Sequence, residues 1–514
     1  MAKDNSIRYD KFWAWISQDD RLQQDGEYTY WRDIDIRQGQ FLQLEKKPEI
    51  LRNVSDSLQI LCKVKRGSFY YVGCSDGTVR KTTNFSDIET AWTIVYTVNP
   101  NQPVIGMIVM QLSSGAVTLF FFTETYMYYR TTFTDGLAWT AGNTHQVSTT
   151  GWPSRQIVKY SFSIFFFTDW KKISYVDCNV PWTVTAYGSF TSWGGAFEAR
   201  NGLVGLTIHG NSFWAYDSQG IEYVIDQSIQ GVVATKDFKE PILGVYNNSD
   251  YDIVITASGT YYKAIYRNGG VWPQSHSLIR RYLYSAYTYL AVGGSTPTDG
   301  VRFNFWVTPA LDFSFTENSG LVYMISNEGW DDVIYSYGNK NNSLPNAMSI
   351  FSAKRNDGNS WGTIYSMWTE TWYLFVAWIS GVTMYVEKIF IEDAGAGVTY
   401  QSSGYIITRV DALGIYEKPK TANKLLIGAN IPVWTSVKIY YSMDEGNFTL
   451  LWTEIWPSEI QGGTWTATLI QRTIPSQSFN ELAIKVELLT SDETVTPSLF
   501  SLEYLPLITK MNRE

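Results

Sequence analysis

The sequence predicts an all-β protein: a six- or seven-bladed β-propeller over residues 50–393, then a β-sandwich over residues 394–514, with an N-terminal arm and lead-in strand at residues 1–49. Three observations predict this fold. β-Branched and aromatic residues form runs of about five that end at Gly, Asn, Asp, Ser or Pro, as strands do. A hairpin pattern recurs at the spacing of propeller blades. After residue 393, apolar and polar residues alternate, which is typical of strands with one buried face.

The composition indicates a folded, aromatic-rich chain. Aromatic residues make up 16% and charged residues only 17% of the 514 positions, whereas disordered chains are poor in aromatic residues and rich in charge. The net charge of -9 removes the electrostatic basis for a primary binder of nucleic acid or anionic membranes. Three cysteines are too few for a disulfide framework, and the charged first ten residues lack an apolar run behind them. We therefore expect no secretory signal, no membrane span and folding in the cytoplasm.

The first 49 residues contain one ambiguous segment. Residues 11–24 could form a helix in which Phe12, Trp13, Ile16 and Leu22 share a face, or they could form an ordered arm without a helix. Both interpretations stay open.

The blade repeat is clearest in three consecutive units. Their turns near positions 76, 124 and 169, and later turns near 217 and 258, recur at intervals of roughly 40 to 50 residues. Wide aromatic side chains suit this geometry, because neighbouring sheets splay apart towards the rim and large residues fill the gap. The aligned segments are Phe69 to Val72, Val79 to Asp87 and Ala91 to Thr93; Phe120 to Glu124, Tyr128 to Asp135 and Ala138 to Thr140; and, more weakly, Phe165 to Asp169, Tyr175 and Pro181 to Thr183.

Two later turns lie further apart than the repeat. They fall near Ser319-Gly320 and Ser380-Gly381, so their units should carry insertions of roughly 15 residues beyond a blade. We place Asp331-Asp332 and residues 339–342 in such an insertion. Loops longer than the repeat favour contacts outside the blade, so we expect the insertions between Tyr282 and Ser366 to form a contact surface. An irregular pair of β-sandwiches is the alternative to a propeller.

The last part of the chain has the alternating strand pattern of a β-sandwich of roughly 110 residues. Residues 394–397 form a plausible linker, and a hairpin turn is expected at 444–447. The alternating segments are Val437 to Tyr441, Leu482 to Leu488 and Leu499 to Tyr504.

Residues suited to catalysis are scarce. His145, His209 and His276 are isolated in the sequence and none has metal-ligand spacing. Glycoside hydrolysis would need two carboxylates on opposite sides of a sugar ring, and the candidates are Asp331 with Asp332, Glu392 with Asp393, and Glu370. Adjacent carboxylates on a strand point to opposite faces, which disfavours the pairs. The sequence therefore predicts no enzyme and no catalytic, cofactor-binding or metal-binding residues.

The repeat resembles the aspartate-box hairpins of sialidase-type propellers. Thr134-Asp135-Gly136 with Trp139 comes closest, and Ser442 to Gly446 is a partial match. These boxes are structural, because the Asp caps its turn and the aromatic ring packs beneath it. Exposed tryptophans could instead stack on sugars, but sequence does not identify which of the 21 are exposed.

The whole chain resembles the propeller-type tail hub or nozzle proteins of tailed bacteriophages. Two segments carry the resemblance: Asp33 to Phe41 leading to Lys46-Lys47-Pro48, which looks like the strand before the first blade, and Phe479 to Val486 with Thr496 to Tyr504, which look like closing strands of tail β-domains. The resemblance implies a structural virion protein made in the host cytoplasm. It implies partners that are copies of itself in a ring, usually sixfold, and other tail proteins, with DNA only as passing cargo. A glycan-binding adhesin that recognises a host glycan and a propeller-type glycoside hydrolase are the alternatives.

Overall fold

A computed structural model describes most of the chain, and every regular element in its described residues is a β-strand. The ambiguous segment at residues 11–24 lies outside them. The described residues are 7–9, 28–35, 41–54, 58–83, 92–98, 102–130, 143–147, 157–168, 171–179, 184–186, 198–209, 212–227, 231–239, 241–247, 251–256, 261–266, 273–280, 315–318, 321–328, 331–338, 347–370, 372–380, 383–391, 397–408, 420–444, 447–455, 468–474, 479 and 482–508.

Five short strands precede the repeated part of the chain. They are β1 (Ile7–Tyr9), β2 (Tyr28–Arg32), β3 (Ile34–Asp35), β4 (Leu42–Leu44) and β5 (Glu49–Val54).

Six four-stranded antiparallel sheets follow, each built from four consecutive strands. Sheet 1 is β6 (Ile60–Arg66), β7 (Phe69–Cys74), β8 (Thr78–Thr82) and β9 (Thr93–Thr97); sheet 2 is β10 (Gly106–Gln111), β11 (Val117–Phe122), β12 (Tyr126–Arg130) and β13 (Asn143–Gln146); sheet 3 is β14 (Val158–Tyr160), β15 (Ser163–Thr168), β16 (Lys172–Asp177) and β17 (Thr185–Ala186); sheet 4 is β18 (Leu203–His209), β19 (Ser212–Asp217), β20 (Ile221–Asp226) and β21 (Gly231–Asp237); sheet 5 is β22 (Ile242–Asn247), β23 (Tyr251–Thr256), β24 (Tyr261–Tyr266) and β25 (Pro273–Arg280); sheet 6 is β26 (Phe315–Asn318), β27 (Leu321–Glu328), β28 (Asp331–Gly338) and β29 (Ala347–Ser352).

Sheet 7 combines strands from distant parts of the sequence. Its first three strands are β30 (Thr363–Glu370), β31 (Tyr373–Ser380) and β32 (Thr383–Phe390), and β5 supplies the fourth by pairing antiparallel with β32. Lys388 lies opposite Glu49 in this register, and Met384 lies opposite Val54. Sheet 7 therefore joins the beginning of the repeated region to its end.

Central strands of these sheets are buried on both faces. β19 is buried at all six positions and β11 at five of six, which explains why their sequences are continuous apolar runs and not alternating ones. Each sheet shares a hydrophobic cluster with the next, and sheet 7 shares one with sheet 1. Pairs of residues within these clusters, in sheet order, are Val79 and Phe121, Phe122 and Phe166, Phe165 and Phe213, Trp214 and Val254, Ile253 and Val322, Tyr323 and Trp378, and Trp368 and Val72.

Two larger sheets contain the remaining strands, β33 (Ser403–Thr408), β34 (Lys420–Asn430), β35 (Thr435–Met443), β36 (Thr449–Ile455), β37 (Thr468–Arg472), β38 (Leu482–Thr490) and β39 (Ser498–Ile508). The six-stranded sheet has the order β3-β4-β39-β34-β37, with β1 also paired to β39. The five-stranded sheet has the order β2-β33-β38-β35-β36. The N-terminal residues 1–49, expected to be an arm and a lead-in strand, thus supply four strands to these sheets, β1 to β4.

The two larger sheets share one hydrophobic cluster. Leu425 and Ile427 enter it from the six-stranded sheet, and Val437, Ile439 and Val486 enter it from the five-stranded sheet. Burial alternates along β35 and β38, so one face of each of these strands packs inward and the other meets solvent.

The all-β prediction is confirmed and the repeated units are small antiparallel sheets, but two details of the repeat were wrong. Asp331 and Asp332 begin β28 and do not lie in an insertion. Ser319-Gly320 joins the first and second strands of sheet 6, whereas the turns near 76, 124, 169, 217, 258 and 380 join second and third strands. The extra length before sheet 6 therefore falls at 281–314, which together with 339–342 lies outside the described residues.

Candidate functional site

Residues 354–360, here called the junction hairpin, connect sheet 6 to sheet 7 and fold back on themselves. Their two ends form an isolated antiparallel bridge. Inside it, the N–H of Arg355 donates to the carbonyl of Asn359 at 3.0 Å and closes a tight turn. The carboxylate of Asp357 stabilises that turn, because its Oδ1 accepts from Asn359 N at 3.0 Å and from Arg355 Nε at 2.7 Å.

The junction hairpin also binds the two larger sheets. Lys354 Nζ lies 2.7 Å from Oδ2 of Asp33, a buried carboxylate beside β3. Asn356 Nδ2 donates to the carbonyl of Pro48, just before β5, at 2.6 Å. Gln401 Nε2, before β33, donates to the carbonyl of Lys354 at 3.4 Å. The hairpin therefore joins sheets 6 and 7 to both parts of the chain that form the larger sheets.

A buried carboxyl group, Glu387 of β32, lies beneath this hairpin. Its Oε2 accepts from Asn356 N at 2.9 Å, and its Oε1 accepts from the indole Nε1 of Trp378 at 3.2 Å. Burial raises the pKa of Glu387 from its ordinary 4.5 to about 7, against the opposing effect of these two donors. The carboxyl group therefore changes charge close to neutral pH.

Aromatic rings exclude water from this carboxyl group. The Arg355 guanidinium lies 4.3 Å from the ring centroid of Trp378, the indole that donates to Glu387. Trp378 also packs against Tyr385, stacked at 4.4 Å, and Trp361, edge-on at 6.4 Å. Trp361 is fully buried and donates to Ser352 Oγ. This packing gives the low-polarity surroundings that disfavour a charged Glu387.

A second polar cluster joins the first strands of sheets 1 and 7. Glu370 forms ion pairs with Lys63 and with Lys65, the latter at 3.2 Å. Burial raises the pKa of Glu370, but hydrogen bonds and attraction from the two lysines outweigh it and lower the pKa overall. Burial also lowers the pKa of Lys63, only partly offset by Glu370. Glu370, a candidate hydrolase carboxylate from the sequence, thus forms an ion pair between sheets 1 and 7.

A third cluster lies buried between sheets 4 and 5 and contains His209. Thr207 Oγ1 and the Tyr216 hydroxyl both donate to Asp252 Oδ2 at 2.7 Å, and His209 Nε2 lies 2.8 Å from Oδ1. A nucleophilic triad needs the hydroxyl bonded to the imidazole. Here the Thr207 hydroxyl, the Tyr216 phenol and the His209 imidazole all contact the buried carboxylate of Asp252. The cluster therefore holds sheets 4 and 5 together.

The other carboxylates suggested by the sequence are not brought together. Asp332 is buried and its Oδ2 accepts from the backbone N of Ile364 in sheet 7 at 2.6 Å. Glu392 and Asp393 lie outside the described residues.

The remaining histidines and the aspartate-box residues are dispersed. His145 stacks on Tyr129 at 5.6 Å, and His276 belongs to β25. The best aspartate-box match, 134–139, lies outside the described residues, but Asp217 performs the expected turn-capping role: its Oδ1 accepts from Gln219 N at 3.0 Å and Ile221 N at 2.9 Å.

Three tryptophans of the described chain are exposed: Trp372, Trp434 and Trp452. Trp372 stacks on Phe390, and the Arg472 guanidinium lies 3.9 Å from the ring centroid of Trp452. Sequence reasoning identified neither these positions nor Glu387, because exposure and burial at a junction depend on contacts between distant segments.

The described residues contain neither a metal-binding cluster nor a helical membrane span. Within the described ranges, no group of three or more His, Cys, Asp or Glu side chains could hold a metal ion. No helix in that part of the chain is long and apolar enough to cross a membrane.

Comparison with known proteins gives structural likenesses only. No family model and no curated protein matches the sequence. Among solved structures, the β-propeller domain of Myceliophteria thermophila Cps50 (Swd1) is 11% identical with a TM-score of 0.41, covering 66% of this chain and 99% of that one. Chaetomium thermophilum Raptor is 9% identical with a TM-score of 0.43, over 68% and 30%. The computationally designed protein Ika8 is 8% identical with a TM-score of 0.39, over 70% and 97%. Because these TM-scores are all low, the likenesses do not indicate what this chain does.

Proposed function

We propose that sheets 1 to 7 are the blades of one closed seven-bladed propeller and that the two larger sheets form a β-sandwich. Support comes from the shared clusters that connect every consecutive pair of sheets and return from sheet 7 to sheet 1. The first strands also lie side by side in the pairs β6 and β10, β14 and β18, β18 and β22, β26 and β30, and β30 and β6. β5 would close the ring by completing the last blade, which removes an exposed sheet edge.

On this architecture we propose a structural role, as a hub- or nozzle-like subunit of a bacteriophage tail. The observation that carries it is the interlocking of the chain: N-terminal strands complete both larger sheets, β5 completes sheet 7, and the junction hairpin connects the two units. A subunit that transmits force within an assembly needs its domains held in one orientation, and these connections supply that rigidity. The phage assignment itself rests on the sequence resemblance.

The candidate catalytic groups are consistent with assembly as the function. Glu370 and Asp332 hold neighbouring sheets together, and the His209 cluster does the same. We propose copies of this chain in a ring as its principal partner, since heterologous contacts between identical subunits close into rings. Other tail proteins would flank the ring, and DNA would pass through it.

Electron microscopy and mass photometry of the purified full chain test this proposal. We expect closed rings of uniform copy number, and the same ring in particles from the source of the sequence. The double variant Lys354→Ala/Asn356→Ala should give irregular or open assemblies, while Arg200→Ala, an exposed position away from the junction, should give normal rings. A stable monomer that is absent from particles would overturn the proposed function.

A further inference from the structure

The turn between β34 and β35 presents two adjacent apolar side chains to solvent. Trp434 is 65% exposed, the largest exposure among the large apolar side chains of the described residues, and Val433 is 40% exposed. The turn crosses from the six-stranded to the five-stranded sheet at one end of these sheets. Among the described residues, five tryptophans are buried, whereas Trp434 is not; the buried ones are Trp92, Trp214, Trp361, Trp368 and Trp378.

The backbone of Trp434 is strained. Its φ of 69° lies in the left-handed region, where a side chain with a Cβ is disfavoured. The N–H of Thr435 donates to the carbonyl of Pro432 at 3.1 Å, which makes Trp434 the third residue of a four-residue turn. That position of a type II turn favours glycine. A glycine here would remove both the strain and the apolar exposure.

Four hydrogen bonds hold this conformation. Besides its N–H, Thr435 donates its Oγ1 to the Pro432 carbonyl at 2.7 Å. The carbonyl of Trp434 accepts from Ser491 N at 2.8 Å and from Ser491 Oγ at 3.0 Å. Strained residues that surrounding structure fixes in this way cluster at binding sites.

The segment that fixes the turn is polar and acidic. Residues 490–494 start at the last residue of β38 and include exposed Ser491 and Thr494. Asp492 Oδ1 accepts from Thr494 N at 3.0 Å and Thr494 Oγ1 at 2.7 Å, and these bonds lower the pKa of Asp492. The turn is therefore accompanied by hydroxyl groups and an ionised carboxylate.

The other exposed tryptophans differ from Trp434. Phe390 stacks on Trp372, and Arg472 covers one face of Trp452. Within the described part of the chain, the indole of Trp434 has neither kind of contact. Trp434, which is 65% exposed, is therefore available to a ligand ring.

We propose that Trp434 and Val433, with the polar segment 490–494, form a binding site for a neutral glycan. The indole supplies a flat apolar platform for the C–H face of a pyranose ring, and the Asp492 carboxylate and the Ser491 and Thr494 hydroxyls are suited to sugar hydroxyl groups. The negative charge disfavours anionic polysaccharides and anionic lipid surfaces. This inference is independent of the proposed tail function.

Fluorescence titration of the full-length protein with cellohexaose, mannohexaose and chitohexaose tests the site. We expect saturable binding of at least one probe below about 10 mM, and a loss of at least about tenfold in affinity in Trp434→Gly, as for an aromatic anchor at a binding hot spot. Trp434→Gly should keep or raise the thermal unfolding midpoint, which separates lost binding from lost folding. Trp434→Tyr should retain most of the affinity.

Trp372→Ala is the matched control, since it removes an exposed tryptophan that has a stacking partner. Its affinity for the probe should equal that of the parent protein. Failure of all three probes to bind, or unchanged binding in Trp434→Gly, would overturn the proposal. Loss of self-association in Trp434→Gly without loss of sugar binding would also overturn it, and would identify a second copy of the chain as the occupant.

Discussion

Replacing Glu387 with Gln removes the titrating carboxyl group beneath the junction hairpin while keeping its size. In the folded protein the pKa of Glu387 is about 7, against an ordinary value of 4.5. The folded state therefore holds this proton more tightly than the unfolded state. Its stabilising effect is complete below pH 4.5 and is lost as the pH rises through about 7. Glu387 should make the parent protein less stable at pH 8 than at pH 5.

The size of the effect follows from the pKa difference. At about 1.36 kcal/mol per pKa unit, the shift corresponds to about 3 kcal/mol in the free energy of unfolding between the two limits. With an unfolding entropy of about 2.1 cal/mol/K per residue, this lowers the midpoint by about 3 °C if all residues unfold together. If a smaller part of the chain unfolds cooperatively, its unfolding entropy is smaller and its midpoint falls by more than this.

Calorimetric scans of both proteins between pH 5 and pH 8 provide the measurement. The Glu387→Gln substitution also changes the hydrogen bonding to Asn356 and Trp378. The part of that change that does not vary with pH only offsets the two profiles, so the quantity to compare is how the difference between the two midpoints depends on pH. Asp357 does not interfere: burial raises its pKa, but bonds from Arg355 and Asn359 outweigh this and lower it. Parallel pH profiles for parent and variant would refute the reasoning.

Three further changes are measured by urea unfolding, two at contacts between sheets and one at a turn within a sheet. Gly205→Ala would place a Cβ 2.6 Å from Val245 Cγ2 in sheet 5, so we expect a loss of about 1 to 3 kcal/mol that Val245→Ala partly restores; additive losses would contradict this. Glu370→Gln should cost about 1 to 3 kcal/mol at pH 7 by leaving Lys63 without its carboxylate. That deficit should shrink as the pH falls below 4.5 through the lowered pKa of Glu370, and a constant deficit would count against the ion pair. Asp217→Ala should cost about 1 to 3 kcal/mol, since two turn N–H groups lose their acceptor, whereas an unchanged midpoint would show that the cap is dispensable.

Local sequence pattern predicted the part of the fold that is made of neighbouring residues. The second strands and the turns that follow them, such as that at Asp76-Gly77, sit where the repeat placed them, because a hairpin is fixed by adjacent residues. Ser319-Gly320 was assigned to the wrong hairpin of its sheet, since a Ser-Gly turn signal does not say which two strands it joins. Asp331-Asp332 was therefore placed in a loop, although the pair begins β28.

Contacts between distant segments were not predictable from pattern. The pairing of β5 with β32 joins Glu49 to Lys388, and no local signal connects them. The raised pKa of Glu387 depends on Asn356 and Trp378 arriving from separate elements. Likewise, the exposure of Trp434 reflects the turn that carries it, while most other tryptophans of the described chain are buried by neighbouring sheets.

The order of strands along the chain also constrains how the protein folds. Sheets 1 to 6 use consecutive strands and can form as the chain emerges, but sheet 7 needs β5 from the start and β30 to β32 from far downstream. The larger sheets similarly combine β1 to β4 with β33 to β39. Pairings this distant close long loops, so they form late and slowly. Both late events meet at the junction hairpin, where Asn356 bonds Glu387 of sheet 7 and the carbonyl of Pro48. Charging Glu387 should therefore weaken sheet 7 and its attachment to the larger sheets together.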